Sequence, residues 1–101
     1  MVMKYELRST KNFSTWFAKL KDLAVKRKVL ARLARVENGN FGDCKQIEVN
    51  LFELRLFFGS GLRIYYTIQG DKVVLLVTGG DKSSQSKDIE KAKNILKNLE
   101  D

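Results

Sequence analysis

The sequence predicts an α+β fold of element order βααββββα: a twisted, mainly antiparallel sheet with two N-terminal helices and one C-terminal helix packed on it. Three observations predict it. Apolar residues recur at helical spacing between residues 13 and 36, alternate with a period of two between 44 and 78, and return to helical spacing beyond 86. Short glycine-bearing turns separate the alternating runs, as in hairpins. With 101 residues, no proline and no low-complexity run, the chain has the make-up of a single globular domain, residues 1–101.

Residues 3–8 read as a short strand with Tyr5 and Leu7 on one face. Ser9, Thr10 and Asn12 offer N-cap oxygens to a first helix whose inward stripe is Phe13, Trp16, Phe17, Leu20 and Leu23. A second helix is expected over residues 22–37, with Val29, Leu30, Leu33 and Val36 inward and Lys26, Arg27, Lys28, Arg32 and Arg35 outward. That cationic face suits plain solvation or an electrostatic footprint for phosphates. The run Asn38-Gly39-Asn40-Phe41-Gly42-Asp43 ends the helix in a turn-rich loop.

Four strands are expected next, over residues 44–49, 52–58, 62–69 and 72–78, with Gly59-Ser60-Gly61 and Gly70-Asp71 as hairpin loops. The run from Val73 to Val77 is apolar on both faces, which predicts an interior strand. After Gly79-Gly80-Asp81-Lys82-Ser83-Ser84-Gln85, Ser86 can cap a last helix with Ile89, Ala92, Ile95, Leu96 and Leu99 inward.

The residue inventory limits the chemistry. Nineteen Lys and Arg against twelve Asp and Glu give a formal charge of +7, which fits a polyanionic partner, either a nucleic acid or an acidic protein. There is no histidine, so Ser/His and Cys/His nucleophile pairs and histidine-bearing zinc sites are excluded. The single cysteine, Cys44, excludes an internal disulfide and a thiolate-rich metal site, and reads as a small buried hydrophobe. No signal peptide and no apolar stretch near the ~20 residues of a membrane span is visible. The expectation is a cytoplasmic protein that uses no membrane, metal or cofactor.

The hairpins set a register. If Gly59-Ser60-Gly61 is a loop, Phe57 faces Arg63, Arg55 faces Tyr65 and Glu53 faces Thr67. If Gly70-Asp71 is the next, Tyr65 faces Leu76 and Arg63 faces Thr78. Alternation then turns Leu54, Leu56, Phe58, Leu62, Ile64, Tyr66 and Ile68 toward the helices, and Glu53, Arg55, Phe57, Arg63, Tyr65 and Thr67 the other way. The segment Gly80-Asp81-Lys82 emerges beside Arg63, so Arg55, Arg63 and Lys82 converge.

Fixed cations of this kind stabilise the extra negative charge that builds when a ribose 2′-hydroxyl attacks a phosphodiester, with no metal required. Tyr65 and Phe57 are expected to stack on unpaired bases. Lys45, Arg32, Arg35 and Gln85 complete the expected RNA contacts. The proton acceptor is open between Glu53, Asp81 and a lysine. The plainer reading of Arg55 and Arg63 is exposed strand arginines paired with Glu53.

Four segments also resemble a known family: Asn38 to Asp43, Leu51-Phe52-Glu53-Leu54-Arg55, Gly59-Ser60-Gly61-Leu62-Arg63-Ile64-Tyr65-Tyr66, and Gly79 to Gln85. Together they are similar to the phage-derived Gp49-like, HigB-like addiction module killer proteins of the RelE/ParE toxin superfamily. The resemblance spans nearly the whole chain, and the block from Gly79 to Gln85 is its most specific part. It implies a RelE-like fold and the toxin of a type II toxin–antitoxin system. It further implies a ribosome-dependent mRNA interferase that inhibits translation.

The partner it implies is an antitoxin, often with a helix-turn-helix, from the adjacent gene, and operator DNA would be touched only through that antitoxin. It places catalytic basic residues on the sheet and just after the last strand, where Arg55, Arg63 and Lys82 stand. RelE-type toxins carry a functional tyrosine in the C-terminal segment; this chain has none after Tyr66, which leaves Tyr65 as the substitute. Two other readings stand beside this one: a ParE-like inhibitor of DNA gyrase without nuclease activity, and an inactive toxin serving as antitoxin partner and corepressor.

Overall fold

The computed structural model describes residues 4–100. The chain runs β1 (Glu6–Ser9), α1 (Lys11–Ala18), α2 (Leu23–Glu37), β2 (Cys44–Glu48), β3 (Leu51–Arg55), β4 (Arg63–Gln69), β5 (Val73–Gly80), a 3₁₀ turn (Lys82–Ser84) and α3 (Gln85–Glu100). The five strands form one sheet in the order β1-β5-β4-β3-β2, antiparallel except for the parallel β1–β5 pair. The α+β class and the element order are as expected. Met3, placed in the first strand from sequence, lies outside the described residues.

Local chemistry explains the helix starts. Thr10 caps α1 by accepting from Phe13 N at 3.1 Å, and its hydroxyl donates to Val77 O at 2.5 Å, tying α1 to β5. Asp22 caps α2 through Ala24 N at 2.8 Å. Both are N-cap oxygens satisfying otherwise unpaired amides.

The sheet is covered on both faces. On one, α1 and α2 bury Phe13, Val29, Leu33 and Val36 against Leu54, Leu56, Ile64, Tyr66, Val74 and Leu76. On the other, α3 brings Ala92, with Ile89, Ile95 and Leu96 beside it, against Leu51, Tyr65, Leu75 and Val77. This second core is the main departure from expectation. The face bearing Glu53, Tyr65 and Thr67 reads as open from the sequence, yet all three are buried.

The hairpin registers differ from expectation by even and odd steps with different consequences. In β3–β4, Arg55 pairs with Arg63, Leu54 with Ile64 and Glu53 with Tyr65. Leu56 N donates to Leu62 O at 3.0 Å, so the loop is the five residues 57–61 rather than three. The shift of two preserves every side chain's face. In β4–β5, Gln69 pairs with Val73, Tyr66 with Leu76 and Tyr65 with Thr78, with a bulge at Val77. The bulge restores the alternation beyond it and sets Arg63 opposite Gly80 instead of Thr78.

The inward stripe of α2 is rotated from its expected position. Leu30 is 53% exposed, while Arg32 is buried with Val29, Leu33 and Val36. Leu23 and Leu99, expected inward, are exposed at helix ends. Cys44 is also exposed, because β2 is the sheet edge.

Candidate functional site

At the N-terminal end of α3, on the second face of the sheet, four segments meet. Glu53 on β3 is fully buried, and its carboxylate is the hub. Arg55 Nε donates to Glu53 Oε1 at 3.0 Å. Gln85 Nε2 donates to Oε2 at 2.6 Å, and Arg63 Nε stands 3.9 Å from the same oxygen. Gly61 lies between Lys82 and Arg63: a Cβ there would sit 3.3 Å from Lys82 Cβ and 3.9 Å from Arg63 Nη1. Arg55, Arg63, Lys82, Glu53 and Gln85 are thus gathered in one place. Lys45, opposite Glu53 on β2, flanks them as an exposed cation.

The electrostatics of this cluster are unbalanced. Arg55 and Arg63 are direct cross-strand partners, an arrangement that like charges disfavour. Glu53 offsets part of that repulsion. Two cations, Arg55 and Arg63, share one buried carboxylate, and exposed Lys82 stands beside them across Gly61. Arg63 Nε is buried without a hydrogen-bond partner of good geometry, so its donor capacity is incompletely used. The Arg55 side chain is 31% exposed and that of Arg63 is 11% exposed, so both reach solvent from a supported base. Two adjacent guanidinium forks have the geometry and charge that can hold phosphate oxygens.

The segment from Gly79 to Gln85 has a structural reason at each conspicuous position. A side chain at Gly79 would overlap the Trp16 indole, and one at Gly80 would overlap the Asp88 carboxylate. Asp81 Oδ1 caps the 3₁₀ turn, accepting from Ser83 N at 3.0 Å and Ser84 N at 3.2 Å. Ser84 Oγ donates to Asp88 Oδ2 at 2.5 Å, which fixes the entry into α3. The turn therefore presents Lys82 outward and Gln85 inward.

Several sequence expectations need correction. Tyr65 lies under α3 at 0% exposure and cannot stack on a base. Its buried hydroxyl has no well-formed hydrogen bond, and burial, followed by the nearby Glu53 carboxylate, pushes its pKa well above the usual tyrosine value. Arg32 is not an RNA contact: Nη1 donates to Arg55 O at 2.7 Å, and Nη2 donates to Phe41 O and Asp43 O at 3.0 Å each. Its aliphatic stem lies in the core and its head clamps the chain around β2 and β3.

Glu53, one proton-acceptor candidate, is enclosed, and its two oxygens are engaged by Arg55 and Gln85, which hold it away from solvent. Asp81, the other, has its carboxyl held below the usual range, first by the Ser83 hydroxyl and then by the Ser83 and Ser84 amides, so it is a poor base. Gln85 is turned toward Glu53 rather than outward. Arg35 is exposed on α2, on the far side of the sheet from the cluster. Phe57 stands in the 57–61 loop at 77% exposure, two residues from Arg55. The Ser84–Asp88 link was missed from sequence, although an i, i+4 polar pair is a readable helical signal.

Among the described residues there is no group of three or more His, Cys, Asp or Glu side chains placed to hold a metal ion. Among them, too, no helix is long and apolar enough to cross a membrane.

The fold is RelE-like. The structure superposes on a double-arginine mutant of the Escherichia coli toxin RelE in its free state with a TM-score of 0.66, at 23% identity over 92% of this chain and 99% of that one. The same toxin in the intact RelBE toxin–antitoxin complex gives 0.57, at 23% identity over 76% of this chain and 95% of that one. A conserved hypothetical protein of Helicobacter pylori gives 0.53, at 22% identity over 82% and 97%. A Haemophilus influenzae protein described as uncharacterized is 43% identical over 96% of this chain and 98% of its own length. Residues 15–99 match the family described as phage derived protein Gp49-like (DUF891), and the chain belongs to that family.

Proposed function

We propose that this chain is the toxin of a type II toxin–antitoxin pair, acting as a ribosome-dependent, metal-independent mRNA endoribonuclease that inhibits translation. The observation that carries this reading is the pairing of Arg55 and Arg63 on buried Glu53, with exposed Lys82 beside Arg63 across Gly61. Family membership and the likeness to RelE support the toxin class. The RelE structures that include RelB support an antitoxin partner. That partner would be a helix-turn-helix protein from the adjacent gene, through which alone the pair would touch operator DNA. The site of action would be the cytoplasm.

The proposed reaction is an internal transesterification of the RNA backbone. The ribose 2′-oxygen attacks the adjacent phosphorus, the bond to the 5′-oxygen breaks, and a cyclic phosphate and a 5′-hydroxyl result. Arg55 and Arg63 would hold the non-bridging oxygens and stabilise the charge that develops on them. Lys82, the exposed cation of the cluster, would give a proton to the departing 5′-oxygen, and the 2′-proton would pass to water. Phe57 and Lys45 would steady the flanking nucleotides by stacking and charge.

The test is the variant Arg63→Ala with Lys82→Ala, expressed without antitoxin. Loss of growth arrest in a variant that keeps its circular dichroism and unfolding transition supports the reading. Undiminished arrest in that folded variant overturns it.

A further inference from the structure

We infer that the groove between α1 and α3 is a binding subsite for single-stranded RNA, holding phosphates on Lys11, Lys19 and Lys91 and a nucleoside against Trp16. The inference rests on the proposed nuclease reading and extends the substrate's path beyond the Arg55–Arg63 cluster.

Two adjoining cavities define the groove. The first, of about 300 Å³, is lined by Lys11, Thr15, Trp16, Lys19, Gly79 and Lys91. The second, of about 350 Å³, shares Trp16, Gly79 and Lys91 and continues past Gly80, the cross-strand partner of Arg63, to Asp81, Ser84 and Asp88. Each has the size of a small ligand site. Lys11 and Thr15 of α1 and its C-cap Lys19 follow one face of the helix at i, i+4 and i+8. At 1.5 Å per residue, Lys11 and Lys19 are about 12 Å apart along the helix. Charge spread over that length suits a chain of phosphates better than one anion.

None of the three lysines makes an ion pair or a side-chain hydrogen bond among the described residues, whereas Lys93 on the same helix as Lys91 pairs with Glu48 and Glu90. The wall between the cavities is aromatic. Trp16 lies flat on β5 at Gly79, where any side chain would collide with the indole, so the ring is fixed in place. A rigid indole beside free ammonium groups matches the recognition of unpaired nucleotides by stacking and charge.

The two carboxylates in the second cavity favour RNA over an acidic peptide. Asp81 Oδ1 is engaged by Ser83 and Ser84, and Asp88 Oδ2 by Ser84, while the other oxygen of each has no partner among the described residues. A free carboxylate oxygen repels phosphate and peptide carboxylate alike, but it accepts a hydrogen bond from a ribose 2′-hydroxyl, a donor that polyglutamate side chains lack and that distinguishes RNA from DNA.

Trp16 is the sole tryptophan, so its fluorescence reports occupancy directly. The full chain would be titrated with an eight-nucleotide RNA, the matching DNA, inorganic phosphate and a polyglutamate peptide. The expected result is saturable quenching by RNA, weaker binding of DNA, and no comparable signal from phosphate or the peptide. Lys19→Ala with Lys91→Ala, both at exposed positions, should weaken RNA binding about tenfold or more. It should also reduce the log–log salt slope by about 1.4, at roughly 0.7 per phosphate contact.

No quenching by RNA, equal affinity in the double variant, or equal binding of DNA overturns the inference. Quenching by phosphate at the same concentrations assigns the site to a free anion, and quenching by the peptide to an acidic protein; either overturns it. Cleavage of cellular mRNA with a silent Trp16 removes this subsite and leaves the nuclease reading. RNA binding in the groove with uncut mRNA does the reverse.

Discussion

Glu53 on β3 and Gln85 at the start of α3 meet at 2.6 Å across 32 residues of chain. Their hydrogen bond joins the two most distinctive stretches of the sequence, Glu53-Leu54-Arg55 and the block ending at Gln85. The helix that buries one end of the sheet's second face is thereby tethered to the carboxylate that holds Arg55 and stands beside Arg63. Positioning of the cations and docking of α3 are one structural event.

Glu53→Gln should therefore affect stability and activity together. It removes the buried negative charge while leaving two guanidinium groups opposite one another. A loss of about 1–3 kcal/mol is expected, because both arginines retain access to solvent. Growth arrest should weaken even at temperatures where the variant remains folded. Urea unfolding and growth curves on the same variant check both; unchanged values in each would remove Glu53 as the organising group.

Arg32→Ala should act on the fold rather than on RNA. Three backbone carbonyls, of Phe41, Asp43 and Arg55, lose a charged donor in a buried setting. The expected destabilisation is about 2–4 kcal/mol. Arg35→Ala on the same helix is exposed and should change stability by less than about 0.5 kcal/mol. Equal effects of the two substitutions in urea would contradict the assignment.

Gly79→Ala should cost about 1–3 kcal/mol through overpacking, since the added methyl meets the Trp16 indole. The same change should alter Trp16 fluorescence in the folded protein. A variant as stable as the parent with an unchanged emission spectrum would show that the indole does not rest on β5.

Alkaline pH should destabilise the protein in a defined sense. Burial raises Tyr65 and Tyr66 well above the ordinary value of 10.0, assisted by Glu53 for Tyr65 and by Cys44 for Tyr66. Above pH 10 the unfolded chain releases these protons while the folded chain keeps them, so stability falls as pH rises. Each tyrosine contributes a slope of up to about 1.36 kcal/mol per pH unit. Tyr65→Phe should flatten the dependence measured by urea unfolding above about pH 10; an unchanged slope would contradict the burial of its hydroxyl.

Much of this architecture is legible in the sequence because period and punctuation are local properties. The strand faces of Leu54, Ile64 and Tyr66 follow from alternation, and they survive a hairpin two residues longer than expected because an even shift preserves the face. The convergence of Arg55, Arg63 and Lys82 was legible for the same reason. What escaped depends on tertiary choice. An amphipathic stripe shows that α3 buries Ile89 and Ala92, but not which sheet face receives them, so Tyr65 reads as open when it is enclosed. Arg32 escaped because its long side chain combines an apolar stem with a head that satisfies carbonyls, a pairing that helical periodicity does not encode. The Val77 bulge has no strong signal, and it decides that Arg63 faces Gly80.

The most direct measurement maps the 5′ ends of cellular mRNA after inducing this chain alone, beside Arg63→Ala with Lys82→Ala. The account predicts new 5′ ends at positions set by codons within translated messages, and none above background in the folded double variant. Growth arrest with intact mRNA, or the same new ends from the double variant, would contradict it; DNA damage accompanying intact mRNA would point to gyrase instead.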